Sequence, residues 1–183
     1  MNSFKQIISK HHIIAFTIIL LALLSVYGYI GLLNEPPQST HLWRQSDCAS
    51  IAQNYYQNGM NFFQPEIHNL HADGGTSGYA TSECPYLYYT VAGLYKIFGN
   101  YPWVYRSVWT LIFIAGAIGL YLFALTLIGN KIASGALALI IISTPVITFY
   151  GNSYLPDVPA LLFVVIGWAL FFRRQVSQKR WQL

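Results

Sequence analysis

VWTLIFIAGAIGLYLFALTLI, residues 108–128, carries no charged side chain and no proline. It meets the roughly 20 apolar residues that a helix needs to cross a bilayer core. Outward from it the same texture recurs. Gly129-Asn130-Lys131 makes a turn, and Ile132 to Phe149 crosses back, so these two spans form a hairpin. Gly151 to Asp157 is a short polar gap before Val158 to Phe172, a shorter run closed by Arg173-Arg174 with Lys179 and Arg180 beyond; long basic side chains snorkel to make up length. Upstream, Lys5 and Lys10 precede the uncharged run Ile13 to Leu33, which Asn34-Glu35-Pro36-Pro37 ends. Its apolar core exceeds that of a cleaved signal peptide and no small-x-small site follows, so it is expected to stay as an anchor.

The composition agrees. The 183 residues are 55% hydrophobic and only 9% charged, against about 25% charged in soluble domains. The net charge of +4 comes from Lys and Arg beside the apolar runs, where orientation in a bilayer accounts for them better than nucleic acid does. The fold class read from this pattern is an all-α polytopic membrane protein with four transmembrane helices and a long extracytoplasmic first loop carrying two interfacial helices. Its divisions are 1–33 (cytoplasmic N-terminus and first span), 34–106 (extracytoplasmic loop with interfacial helices and candidate catalytic acids), 107–172 (three further spans) and 173–183 (basic cytoplasmic tail, where a longer reading frame is expected to be cut). With the N-terminus inside, Lys5, Lys10, Lys131, Arg173, Arg174, Lys179 and Arg180 are cytoplasmic against Arg44, Lys96 and Arg106 outside, as the positive-inside rule requires. Ala115 with Gly119, and Ser134 with Ala138, set small residues at the spacing that lets helices approach.

Within the loop, the block Thr40 to Pro85 holds Asp47, Glu66, Asp73 and Glu83, four of the six acids in the chain. From Ser46 a helix is expected: Ser46 or Asp47 caps it, Asn58-Gly59 stops it, and Cys48, Ile51, Ala52, Tyr55 and Tyr56 form its apolar stripe. Asn61 to Ser82, with Pro65, Gly74, Gly75 and Gly78, reads as an irregular loop. Pro85 opens a tyrosine-rich helix that Gly99-Asn100 stops, with Tyr101, Trp103 and Tyr105 continuing an aromatic belt at headgroup level. Asp47, Glu83 and Asp157 each fall at an expected helix N-terminus, where a carboxylate is favoured by the helix dipole. They are caps, or they are chemistry: a carboxylate in a partly dry cleft accepts a proton from a substrate hydroxyl. Cys48 and Cys84 each follow an acid directly, which allows a bridge or two small buried thiols. His68, His71 and Asp73 lack the helical presentation of a metal site and read as solvated loop residues.

Trp43-Arg44-Gln45-Ser46-Asp47 after the first span, Ser82-Glu83-Cys84-Pro85-Tyr86 before the second, and Tyr154-Leu155-Pro156-Asp157 before the fourth resemble the N-terminal part of the GT-C superfamily. These polytopic glycosyltransferases use polyprenyl-phosphate sugars, and the nearest likeness is to the dolichyl-phosphate-mannose-protein mannosyltransferase-like and aminoarabinose-transferase-like branch. The resemblance implies transfer of a sugar from a polyprenyl-phosphate donor to a lipid, glycan or protein acceptor, at the outer face of the bacterial inner membrane. It implies Asp47 as catalytic base with Glu83 beside it, and Asp157, Arg44, Trp43 and Arg106 as substrate-binding residues. No cofactor follows from it, although some members use a divalent metal; nucleic acid is not an expected partner. Cys84 departs from relatives that place a basic residue after the acid. A non-catalytic membrane scaffold or assembly subunit, or a transporter, are the rival readings. Against a transporter, no span carries an ionisable residue between its flanks.

Overall fold

The computed structural model describes residues 11–71, 75, 77–80 and 83–179. Lys5, Lys10, Asp73, Ser82 and Arg180, all used in the sequence reading, lie outside them, as does the side chain of Lys179. The described residues form an all-helical structure: α1 His11–Val26, α2 Tyr29–Leu32, α3 Leu42–Gln57, α4 Tyr86–Phe98, α5 Pro102–Ile128, α6 Lys131–Ile142, α7 Pro145–Tyr150 and α8 Asp157–Lys179. Among these residues the only extended pairing is an isolated bridge between Glu66 and Tyr79. One helix, α5, is long and apolar enough to cross a membrane; its most apolar window has a mean hydropathy of 2.5, with 39% of that window buried. More than half of it therefore faces outward, as a lipid-facing helix would.

The chain divides into two compact units. The first takes residues 11–30, 111–151 and 158–179. Its core repeats every fourth residue: Phe16, Leu20 and Leu24 from α1, Phe113, Ala117, Tyr121 and Leu125 from α5, Ala138 and Ile142 from α6, Val158 and Leu162 from α8. Residues four apart share a helix face, so each helix presents one stripe inward. Phe16 stacks on the Tyr121 ring at 4.6 Å, and the Tyr121 hydroxyl is 2.8 Å from His12 Nδ1. Ser134 and Ala138 are both buried, but Ala115 is exposed. The close approach is made instead by Gly116 and Gly119, where an added Cβ would lie 2.4 Å from Leu162 Cβ and 2.9 Å from Ile166 Cγ1. Gly116→Ala is therefore expected to lose about 1–3 kcal/mol through overpacking. Gly93→Ala in α4, where nothing lies within 4 Å, is expected to gain up to about 1 kcal/mol. Thermal unfolding of both variants in detergent separates packing from helix propensity.

The other three expected spans are not found as single helices long and apolar enough to cross among the described residues. The first is interrupted after Val26: Gly28 adopts φ 81°, a left-handed conformation natural only to glycine, and Tyr29 restarts the helix with its hydroxyl donating to Thr148 O at 2.7 Å. The third is broken at Ser143-Thr144, because Pro145 has no N–H to continue the ladder and becomes the first residue of α7. The fourth runs to Lys179 rather than Phe172.

The second unit takes residues 31–110 and 152–157. In it α3 and α4 pack through matched stripes, Cys48, Ile51, Ala52 and Tyr55 against Tyr88, Val91, Ala92 and Tyr95, all buried. Tyr56, expected on the same stripe, sits at its edge with its ring 6.0 Å from that of Tyr95. Asn58 and Gly59 end α3 as the sequence indicates, with Gly59 at φ 99°. The N-terminus differs. The helix begins at Leu42 after His41 in a left-handed conformation, φ 58°, so neither Ser46 nor Asp47 is its cap; Asp47 lies inside the helix.

Candidate active site

The segment 152–157 is anchored by buried groups of its own unit. Arg106, 3% exposed, donates from Nε to Glu35 O at 2.7 Å, from Nη2 to Pro36 O at 3.0 Å, and from Nη1 to Asn152 O. Its guanidinium carbon lies 4.8 Å from the centre of the Tyr154 ring. Tyr105 donates to Tyr154 O at 2.9 Å, and Trp109 Nε1 donates to Leu155 O at 2.7 Å. Gln45 gives both amide protons to Gln38 O and Thr40 O, at 2.9 and 2.8 Å, and its oxygen faces Tyr154 N at 3.4 Å. These bonds satisfy backbone groups that would otherwise be buried unpaired, and they deliver Asp157 to a defined place.

That place is beside Arg44. Arg44 Nη2 meets Glu83 Oε1 at 2.6 Å and Nη1 meets Asp157 Oδ2 at 3.3 Å. The side chains are 37% exposed for Arg44, 22% for Glu83 and 52% for Asp157, so the Glu83 contact is the shorter and drier of the two. The hydrogen bond that Arg44 donates to Glu83 is the main reason the Arg44 pKa is raised. Tyr88 donates its hydroxyl proton to Glu83 Oε2 at 2.6 Å, and the Tyr88 hydroxyl oxygen lies 3.2 Å from Cys48 Sγ. Burial raises the Tyr88 pKa far above its ordinary value and pushes the Cys48 thiol up to about 11. Both groups are therefore protonated at neutral pH, and Glu83 accepts hydrogen bonds from Arg44 and Tyr88.

Asp47 is in a different state. It stands three residues after Arg44 and one before Cys48, on the helix face that carries both. Half-buried, it has no side-chain hydrogen bond or ion pair among the described residues, and burial raises its pKa. An uncompensated carboxylate with a raised pKa is a stronger proton acceptor than one clamped by a guanidinium.

Of the six residues marked by the sequence, the structure thus gathers Arg44, Glu83 and Asp157 into one ion-paired group and puts Asp47 on the same helix face as Arg44. Arg106 is not among them: it is buried, and each guanidinium nitrogen donates to a backbone carbonyl, so its place is structural. Trp43 is 69% exposed and closes nothing. Tyr88 and Gln45 are the participants to which the sequence assigned no role, and Cys48 was marked only as a stripe residue and a thiol. The clue was there for Tyr88, whose place one turn after Pro85 aims it back at Glu83.

Cys48 and Cys84 are both free, the first buried and the second exposed. A bridge is absent because Cys48 belongs to the stripe facing α4 while Cys84 turns outward. Cys84 is expected to react with a hydrophilic maleimide in the folded chain. Cys48, buried and with its thiol proton held, is expected to react on the order of 10²-fold more slowly until the protein is unfolded. Single-cysteine variants followed by mass spectrometry give both rates. Among the described residues no three His, Cys, Asp or Glu side chains converge to hold a metal, so no catalytic step is assigned to one. The chain was compared with family models, curated proteins and solved structures, and no significant match was found in any of the three.

Proposed function

We propose that the chain is the acid-bearing N-terminal part of a GT-C-type glycosyltransferase, moving a sugar from a polyprenyl phosphate to a lipid, glycan or protein hydroxyl at the extracytoplasmic face of the bacterial inner membrane. The observation that carries this reading is the contrast between Asp47, uncompensated and with a raised pKa, and Glu83, ion-paired and hydrogen-bonded. Asp47 takes the acceptor hydroxyl proton as that oxygen bonds to the anomeric carbon. The bond from that carbon to the phosphate oxygen breaks, and its electron pair leaves on the polyprenyl phosphate. Such a leaving group needs little protonation, so one base is enough where a glycosidase needs an acid and a base. Glu83 keeps Arg44 oriented, and the longer, more exposed Asp157 contact is the side from which Arg44 turns to meet the donor phosphate.

In this reading α1 with α2, α5, α6 with α7, and α8 make four crossings, the N-terminus is cytoplasmic, and the loop 34–106 is outside. The bias of Lys and Arg supports that orientation, and membrane-impermeant maleimide is expected to reach Cys84 only from outside. The function itself is tested by following release of polyprenyl phosphate in proteoliposomes. Release by wild type that persists undiminished in Asp47→Asn would overturn the base assignment.

A further inference from the structure

The loop that follows α3 returns along that helix, antiparallel to it. Asn54 Nδ2 donates to Glu66 O at 2.7 Å, and one turn nearer the helix start Ser50 Oγ accepts from His68 N–H at 3.2 Å. Four helical residues rise about 6 Å and two extended residues about 7 Å, so loop and helix run in step. The buried side of the loop holds it there. Pro65 and Ile67 are buried, Ile67 N–H donates to Gly78 O at 2.7 Å, and Ala80 N–H donates to Pro65 O at 2.9 Å. A Cβ at Gly78 would collide with Ile67 O, so only glycine fits. Alternate residues of an extended chain point oppositely, which leaves Glu66 and His68 on the outer side, His68 exposed.

Ser50 makes a second bond. Its buried hydroxyl donates to Asp47 O at 2.7 Å. One oxygen atom therefore joins Asp47 to His68, and the two backbones are no farther apart there than those two bonds laid end to end. An aspartate and a histidine side chain together span that separation, directly or across one water. The His68 ring makes no hydrogen bond among the described residues and can turn toward the carboxylate. The other charged groups nearby are engaged elsewhere. Arg44 meets Glu83 and Asp157, and Glu66, the other acid on this side of the loop, is anchored at Asn54, two turns from Asp47.

We propose that His68 and Asp47 form a proton-transfer pair, in which His68 receives the proton that Asp47 takes up and passes it to solvent. The direction of transfer rests on the transferase reading; the pairing itself does not. The acceptor hydroxyl arrives at the open side of Asp47, and the bound substrates then stand between the protonated carboxyl and water. The carboxyl O–H gives its proton to the lone pair of a neutral His68 ring nitrogen, which restores the carboxylate. The imidazolium hands that proton to water or buffer, so both groups end each turnover as they began. Imidazole suits the task because it binds and releases a proton near neutral pH. His71 makes no bond to α3 among the described residues and serves as the control.

In weakly buffered proteoliposomes of the full chain, His68→Ala is expected to slow polyprenyl phosphate release about tenfold, less than the roughly 10²-fold or more lost with a general base itself. Added imidazole is expected to restore the rate in His68→Ala but not in Asp47→Asn, and His71→Ala is expected to match wild type. NMR of the chain with isotope-labelled histidine tests the pair without turnover: the ring signals of His68 are expected to move in Asp47→Asn while those of His71 stay. His68 signals that stay in place overturn the pairing, and a loss in His68→Ala that imidazole leaves untouched overturns the relay. A wild type that releases nothing takes down the transferase reading and the direction of transfer with it, and the NMR comparison alone then decides the pairing.

Discussion

Asp47→Asn is expected, on the proposed transferase reading, to lower sugar transfer by about 10²- to 10⁴-fold, the usual contribution of a general base, without lowering stability at neutral pH. The two halves have one cause. Burial raises the Asp47 pKa in the folded chain, so folding favours the protonated carboxyl over the ionised one. Stability tied to this group is complete below the unfolded value of about 3.9 and is lost as pH rises through the higher folded value. An amide does not ionise and escapes that loss. The Asn variant should therefore melt at least as high as wild type at pH 7, and the difference should close on acidification. Melting curves for the two proteins across pH, beside transfer rates, check it. A variant that loses melting temperature together with activity would make Asp47 a structural residue.

Arg106→Ala is expected to have the larger effect on the fold, a loss on the order of 3 kcal/mol or more. The carbonyls of Glu35, Pro36 and buried Asn152 would lose their donor, an orphaned buried group costs about 1–3 kcal/mol, and the packing of the guanidinium on the Tyr154 ring is lost with them. Arg106→Lys should not rescue it, since one ammonium lacks the planar fork that reaches three acceptors. Arg44→Ala offers the contrast. Its ion pairs are partly exposed, and such pairs contribute roughly 0–1 kcal/mol. Folded yield and resistance to unfolding in detergent rank the variants. Equal losses for Arg44→Ala and Arg106→Ala would show that the carbonyls find other partners.

Helix identity was legible wherever one residue type dominates the physics. Uninterrupted apolar text marked α5, and the i, i+3, i+4, i+7 stripe of α3 named Cys48, Ile51, Ala52 and Tyr55 as its buried side. Composition averaged over a span hides a break, which is why Gly28 and Pro145 divided runs that read as continuous. The start of α3 was misplaced for a related reason: Ser46 and Asp47 are good capping residues, but Gln45, bonded to Gln38 O and Thr40 O upstream and to Tyr154 N far downstream, already lies inside the helix. In the site, the acids were visible as acids, and Arg44 as their neighbour. What each guanidinium touches was not, because the partners are distant in sequence: carboxylates for Arg44 and backbone carbonyls for Arg106.

The bond from Arg44 to Asp157 joins residues 113 positions apart. During synthesis at roughly 5–20 residues per second, Arg44 and Glu83 exist for several seconds or more before Asp157 is made. The second unit is thus a vessel left open during its own manufacture: α3 and α4 can pair early, yet Arg106 lacks Asn152 and the ion cluster lacks its third member until nearly the whole described chain has been translated. Quality control that samples the nascent protein in that interval meets an unfinished site, and maturation of the cluster is timed by the ribosome rather than by the pairing of its first two helices.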